Sequence, residues 1–173
     1  MGDTIKRKSA NIAVLTVSDT RTEENDKSGD TLIERIKKAG HHLVEKRIVK
    51  DDLSLLQDSL KEWIDSPGVD VVIATGGTGV TGRDVTPEAF ESLYEKSIPG
   101  FGELFRWLSY QNIKTSTMQS RATAGVAKGT FLFALPGSTG ACKDAWDMII
   151  VHQLDSTNKP CNLVELMPRL MEK

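Results

Sequence analysis

Three short, almost unbroken apolar runs, Ile12–Val17, Val69–Ala74 and Phe131–Leu135, set the terms on which this chain can fold. A strand with one wet face alternates apolar and polar residues; these runs do not, so both of their faces must be covered. Between them lie segments of helical period. One places Leu32, Ile33 and Ile36 on a common face, and another does the same with Leu53, Leu56, Leu60, Trp63 and Ile64. Doubly covered strands alternating with helices predict an α/β fold, three layers deep (α/β/α), with a mostly parallel central sheet. In such sheets the loops that follow the strands share one edge, and ligands bind there.

The rest of the chain punctuates this frame. Met1–Ser9 is polar and expected to be loose. Ser28 is a candidate cap for the first helix, which Gly40 ends. His42–Val49 reads as a second strand, at an edge because Glu45, Lys46 and Arg47 interrupt it. In Lys50-Asp51-Asp52 one aspartate suffices to cap the next helix, and the other is left over. Phe101, Phe105, Trp107 and Tyr110 crowd a segment that is either a helix burying a mixed face or a surface covered by another subunit. Arg121 stands among small residues, suited to a surface ion pair or to an anion. After Phe131–Leu135 come Pro136-Gly137-Ser138 and a helix with Ala141, Ala145, Met148 and Ile149 on one face. The expected organisation is one domain over 1–173, with a core at about 10–153 and a tail from 154 to 173 packed on it.

The loop after the Val69–Ala74 run carries the most chemistry. Thr75-Gly76-Gly77-Thr78-Gly79-Val80-Thr81-Gly82 strips side chains from the backbone, which lets N–H groups approach a phosphate. Thr86-Pro87 then reads as N-cap and first helical residue. Gly77-x-Gly79-x-x-Gly82 fits a dinucleotide fingerprint, but the acidic residue expected roughly 20 positions on would be Glu103, which is not at a strand end. Gly77-x4-Gly82 begins a P-loop spacing, yet Arg83-Asp84 stand where Lys and Ser/Thr belong. Two readings remain open: a phosphate loop that uses Asp84 for a divalent cation, and a Gly-rich turn with solvated charges. Ser18-Asp19, Asp51, this loop and Gly137-Ser138 all fall after strands, so the fold brings them to one edge.

Composition excludes several function classes. With 22 basic and 24 acidic residues and a net charge of −2, nothing marks a nucleic-acid surface. Cys142 and Cys161 make no zinc or redox spacing, and His41, His42 and His152 form no metal pattern. No apolar run approaches the roughly 18 residues of a membrane span, so a cytoplasmic protein is expected.

Four motifs in order, Thr75-Gly76-Gly77-Thr78-Gly79, Arg83-Asp84-Val85-Thr86-Pro87-Glu88, Pro99-Gly100-Phe101-Gly102-Glu103 and Leu135-Pro136-Gly137-Ser138, resemble those of the MoaB/MogA family of molybdenum cofactor biosynthesis proteins. Ser109, Ser116-Thr117, Gln119-Ser120-Arg121-Ala122, Ala141-Cys142 and Pro160-Cys161-Asn162 make the MoaB branch the nearer one, while Ala74 departs from the Thr common in the family. The resemblance implies molybdopterin as substrate and ATP with Mg2+ as co-substrate, the AMP group passing to the terminal phosphate of molybdopterin with release of pyrophosphate. It implies Asp51 and Asp84 as the catalytic and metal-holding carboxylates. Ser18, Asp19, Thr75, Gly76, Gly77, Thr78, Gly79, Pro136, Gly137 and Ser138 would line the phosphate and nucleotide side, and Glu103, Arg106 and Arg121 the pterin side. A binding or carrier role without transfer is the implied alternative. Association as a homotrimer or hexamer and a molybdenum-insertion protein as receiving partner are also implied.

Overall fold

The computed structural model describes residues 7–173. Met1 to Lys6, most of the stretch expected to be loose, lies outside the described residues. The part that is described is tied down: the Lys8 N–H donates to Ser156 Oγ at 3.0 Å, and the Ser9 hydroxyl donates to the Gly40 carbonyl at 2.9 Å.

Strands β1 (Asn11–Val17), β2 (His42–Val49), β3 (Val71–Thr75), β4 (Lys96–Ser97), β5 (Thr123–Ala127) and β6 (Thr130–Leu135) form one sheet in the order β2-β1-β3-β6-β5-β4. The four strands β2, β1, β3 and β6 are parallel, and β5 runs antiparallel to both β6 and β4. Helices α1 (Lys27–Lys38), α4 (Pro99–Ile113) and α5 (Thr139–Ala145) cover one face, and α2 (Leu53–Ile64) and α3 (Thr86–Glu91) the other. The chain ends in the short helices α6 (Val151–Gln153) and α7 (Leu163–Leu166). A three-layer α/β/α arrangement with a largely parallel sheet is therefore what forms.

The apolar runs are continuous because successive residues serve different cores. Ile12 and Val14 pack with α1 and α5, while Ala13, Leu15 and Val17 pack with α2. The hairpin of β5 and β6 was not legible in the small, mixed residues before Ala127. It turns on Lys128 (φ +44) and Gly129 (φ +84), the left-handed pair that a two-residue turn requires. The Tyr94 ring lies where a Gly125 Cβ would sit, so β5 is spaced by a side chain from another element.

Three local expectations change. Asp26, not Ser28, caps α1: its Oδ1 accepts from the Gly29 N–H at 3.0 Å, and Ser28, two residues on, is buried inside the first turn. Thr86 does not cap α3; its hydroxyl donates backward to the Gly76 carbonyl at 2.8 Å, with Pro87 in the first turn as expected. Met148 faces out, because the backbone from Trp146 to Ile150 widens into a π turn that rotates it off the face of Ala145 and Ile149. The α4 segment forms the helix with a mixed face. Phe101 and Phe105 are buried, while Leu104, Trp107, Tyr110 and Ile113 form an exposed ridge.

Candidate functional site

Register builds the site. Thr75 at the end of β3 pairs with Thr16 on one side and Leu135 on the other, so the loops after β1, β3 and β6 leave the sheet at one level. The two glycine-containing turns then touch: a Cβ on Gly137 would lie 3.2 Å from Gly76 Cα. Gly76 (φ +106) and Gly77 (φ +64) are left-handed and closely packed. A Cβ on the first would meet the Val17 carbonyl oxygen at 2.2 Å, and one on the second would meet Thr86 Oγ1 at 2.4 Å and Asp51 Oδ1 at 2.7 Å. Gly82 has nothing within 4 Å, so it does not perform the close-packing role of the third glycine in a dinucleotide fingerprint.

The loop is braced from outside. Arg121 donates from Nε to the Gly79 carbonyl at 2.7 Å and from an Nη to the Asp84 carbonyl at 2.9 Å; it also pairs with Glu88. Its own N–H donates to the Thr78 carbonyl at 3.0 Å. Each of its three guanidinium nitrogens donates to a protein acceptor, so Arg121 holds the loop's shape. Gly137 is fixed in the same manner, its carbonyl accepting from Arg21 and from Ser28 Oγ, each at 2.9 Å. Arg21 is held in turn by the fully buried Asp26. Burial pushes the Asp26 carboxyl up, but the Thr16 hydroxyl, the Gly29 N–H and Lys46 outweigh it and bring it below the usual carboxylate range.

Not every expected donor is free. The Gly76 N–H is taken by the Leu135 carbonyl at 2.9 Å, and the Gly79 N–H faces Asp84. The buried Thr75 hydroxyl donates to the Pro136 carbonyl at 2.9 Å, and Ser138 Oγ caps α5 by accepting from the Ala141 N–H at 3.1 Å. Among the described residues, nothing accepts from the N–H groups of Gly77, Thr78, Gly137 or Ser138. Of the expected loop donors and Thr78, those four are left free for a ligand.

The carboxylates flank this cradle. Asp52 caps α2 by accepting from the Leu55 N–H at 3.0 Å, which leaves Asp51 to turn toward Gly77. Burial, with Asp19 and Asp84 nearby, raises the Asp51 carboxyl above its ordinary value. Asp84 is held by Thr81, whose N–H and hydroxyl donate to Oδ2 at 2.9 and 2.6 Å. Burial pushes it up, but these bonds and the Gly79 N–H outweigh that and lower it. Asp19 accepts from Arg83 and from the Asp51 N–H, and its carboxyl is lowered chiefly by Arg83. Among the described residues, no group of three or more His, Cys, Asp or Glu side chains is arranged to hold a metal ion.

Gly77, Thr78, Gly79 and Asp84 share one cavity of about 670 Å3 with Pro136, Gly137 and Ser138. Glu103 and Arg106 are not part of it. They line a separate cavity of about 870 Å3 on the other side of Arg121, where Arg106 donates to the Ala122 carbonyl at 3.2 Å. Ser18 and Asp19 lie in a shallower depression beside β2, with Ser18 Oγ accepting from the Thr20 and Arg21 N–H groups at 3.2 Å.

The chain as a whole has known counterparts. Residues 13–156 match the family described as "Probable molybdopterin binding domain". "Molybdenum cofactor biosynthesis protein B" of Escherichia coli (strain K12) is 52% identical over 151 residues, covering 87% of this chain and 89% of that protein. A crystal structure of a molybdenum cofactor biosynthesis protein B superposes with a TM-score of 0.86 at 41% identity, covering 96% and 98% of the two chains. The tungsten cofactor synthesizing protein MoaB of Pyrococcus furiosus superposes with a TM-score of 0.75 at 42% identity, over 82% of this chain and 91% of that one.

The chain belongs to the MoaB/MogA family.

It matches the MoaB branch closely. In this MoaB-type chain, much of the cavity between the two glycine turns is lined by residues that motif reading did not assign to it. Phe105, Ser109, Asn112 and Ile113 descend one face of α4, and Gly140, Ala141 and Asp144 descend one face of α5. The i, i+4, i+7 and i+8 spacing on α4 and the i, i+1 and i+4 spacing on α5 are each a signal of a shared helix face. The sequence does not say what that face meets.

Proposed function

We propose that this chain binds molybdopterin in molybdenum cofactor biosynthesis, its terminal phosphate seated on the Gly77, Thr78, Gly137 and Ser138 N–H groups. The observation that carries the reading is the joining of those four free donors to a cavity of about 670 Å3, within the stretch that matches the molybdopterin-binding family. Backbone donors suit an anion because they are fixed before it arrives, and the mostly apolar walls suit the flat ring attached to it. Anaerobic titration of the full chain with molybdopterin tests this, read by quenching of the pterin fluorescence. Saturable binding of one molybdopterin per chain is expected, and its absence overturns the reading.

Adenylyl transfer is the second reading, favoured by the placement of Asp51 and Asp84 on either side of the Gly77–Gly79 backbone. Two carboxylates fit a cation that arrives bound to phosphate better than a resident one, since Mg2+ needs six oxygens and the remainder would be phosphate and water. Mg2+ would neutralise charge between the two phosphate groups; Asp51 and Asp84 would position it, and the backbone donors would hold the attacking phosphate. Incubation with α-labelled ATP, Mg2+ and molybdopterin separates the readings. Label in the pterin that is lost in Asp84→Asn supports transfer, and binding without label supports the carrier role. Self-association through the exposed ridge of Leu104, Trp107, Tyr110 and Ile113 is proposed with it, and sedimentation of wild type against Trp107→Glu tests that.

A further inference from the structure

The cavity between the glycine turns has two unlike ends. At one end the free backbone N–H groups of Gly77 and Gly137 favour an anion. At the other, the last residues on the two helix faces meet: Asn112 Nδ2 of α4 donates to Asp144 Oδ2 of α5 at 3.1 Å. Between them the walls are Phe105, Ile113, Pro136 and Ala141. α5 acts as a ruler, since Asp144 is six residues beyond Ser138, roughly 9 Å of helical rise. Such a site accepts a flat ring carrying a phosphate at one end and hydrogen-bond donors at the other.

We propose that Asp144, oriented by Asn112, reads the 2-amino-4-oxo edge of a pterin and so selects the ring, with the phosphate held at the glycine end. This inference rests on the molybdopterin-binding reading above. The pterin edge presents two parallel donors, N3–H and the 2-amino group, and a carboxylate presents two acceptor oxygens at matching separation. Asp144 Oδ1 accepts nothing from the described residues, and Oδ2 has a second lone pair beyond the one that Asn112 uses. Asn112 keeps a second N–H for the 4-oxo oxygen. A ring with a carbonyl in place of the 2-amino group would set oxygen against oxygen there, which is a means of rejection as well as of attraction.

The test compares wild type, Asp144→Ala and Asp144→Asn in the full chain, each checked for an unchanged melting temperature. Molybdopterin is titrated anaerobically, and the phosphate esters of 6-hydroxymethylpterin and 6-hydroxymethyllumazine are titrated separately. Wild type is expected to bind molybdopterin, Asp144→Ala to bind it about tenfold more weakly, and wild type to prefer the pterin ester over the lumazine ester by a similar factor. Asp144→Asn is expected to reverse that preference, since its amide can donate to the lumazine 2-oxo group. A merely structural role would not reverse it. Equal molybdopterin binding by all three proteins, or no pterin preference in wild type, overturns the assignment of Asp144 and leaves the binding reading standing. Failure of wild type to bind molybdopterin overturns both.

Discussion

Gly77 and Gly82 look alike in the motif and should respond oppositely to alanine. At Gly77 the backbone has φ +64, and a Cβ would lie 2.4 Å from Thr86 Oγ1 and 2.7 Å from Asp51 Oδ1. Holding a non-glycine residue in the left-handed region costs about 1–2 kcal/mol. Displacing Thr86 breaks its buried bond to the Gly76 carbonyl, worth about 1–1.5 kcal/mol more. Gly77→Ala is therefore expected to destabilise by about 2–4 kcal/mol, a drop of roughly 5–15 °C in melting temperature for a domain of this size. Gly82 meets nothing within 4 Å and is not left-handed, so Gly82→Ala is expected to be neutral or to stabilise by up to about 1 kcal/mol through the unfolded chain. Scanning calorimetry with a urea titration measures both. A Gly77→Ala melting point within about 2 °C of wild type, or equal losses at the two positions, would refute the packing argument.

Arg121→Lys should be nearly as damaging as Arg121→Ala, by about 1–3 kcal/mol, because a single ammonium cannot reach the Gly79 and Asp84 carbonyls and Glu88 together; recovery of stability by lysine would show that charge alone matters. In the native protein one thiol should react quickly with a disulfide reagent and one should not. Cys161 is exposed, whereas Cys142 is buried, with its thiol pushed up to about 11 by burial; two fast thiols per chain would contradict this. Stability should fall as pH drops through 6.5, the ordinary histidine value. Burial lowers His41 below 6.5, so the unfolded chain binds a proton there before the folded one does, and His41 Nδ1 accepts from the Ala10 N–H only while it is unprotonated. Thermal melts from pH 8 to 5 should show this slope in wild type and lose it in His41→Asn.

The glycine loop was legible as a candidate because backbone chemistry is local: glycines after a buried strand mean close approach whatever surrounds them. Which of its N–H groups remain free was not legible. Gly76 loses its donor to Leu135, 59 residues away in the chain, and no spacing within the loop encodes that. Asp26 was passed over as a cap because Ser28 also fits the local rule. The choice was made by Gly137, whose carbonyl draws in the Ser28 hydroxyl. Arg121 was read as a choice between surface pairing and anion contact, and its main role as a brace depends on two carbonyls that only the folded loop presents.

The layered sheet is written into local composition: runs such as Ile12–Val17 have no polar face, so they must be covered on both sides, and the helical periods between them supply the covers. The edge position of β2 followed from its charges, and the meeting of several loops at one edge followed from parallel strands. The cavity, by contrast, exists only through long-range packing. Its second wall is made where α4 and α5 meet, which puts Asn112 and Asp144, 32 residues apart in sequence, within hydrogen-bond distance. Periodicity tells a helix which face to bury. The neighbour it is buried against is chosen by the packing of the whole chain.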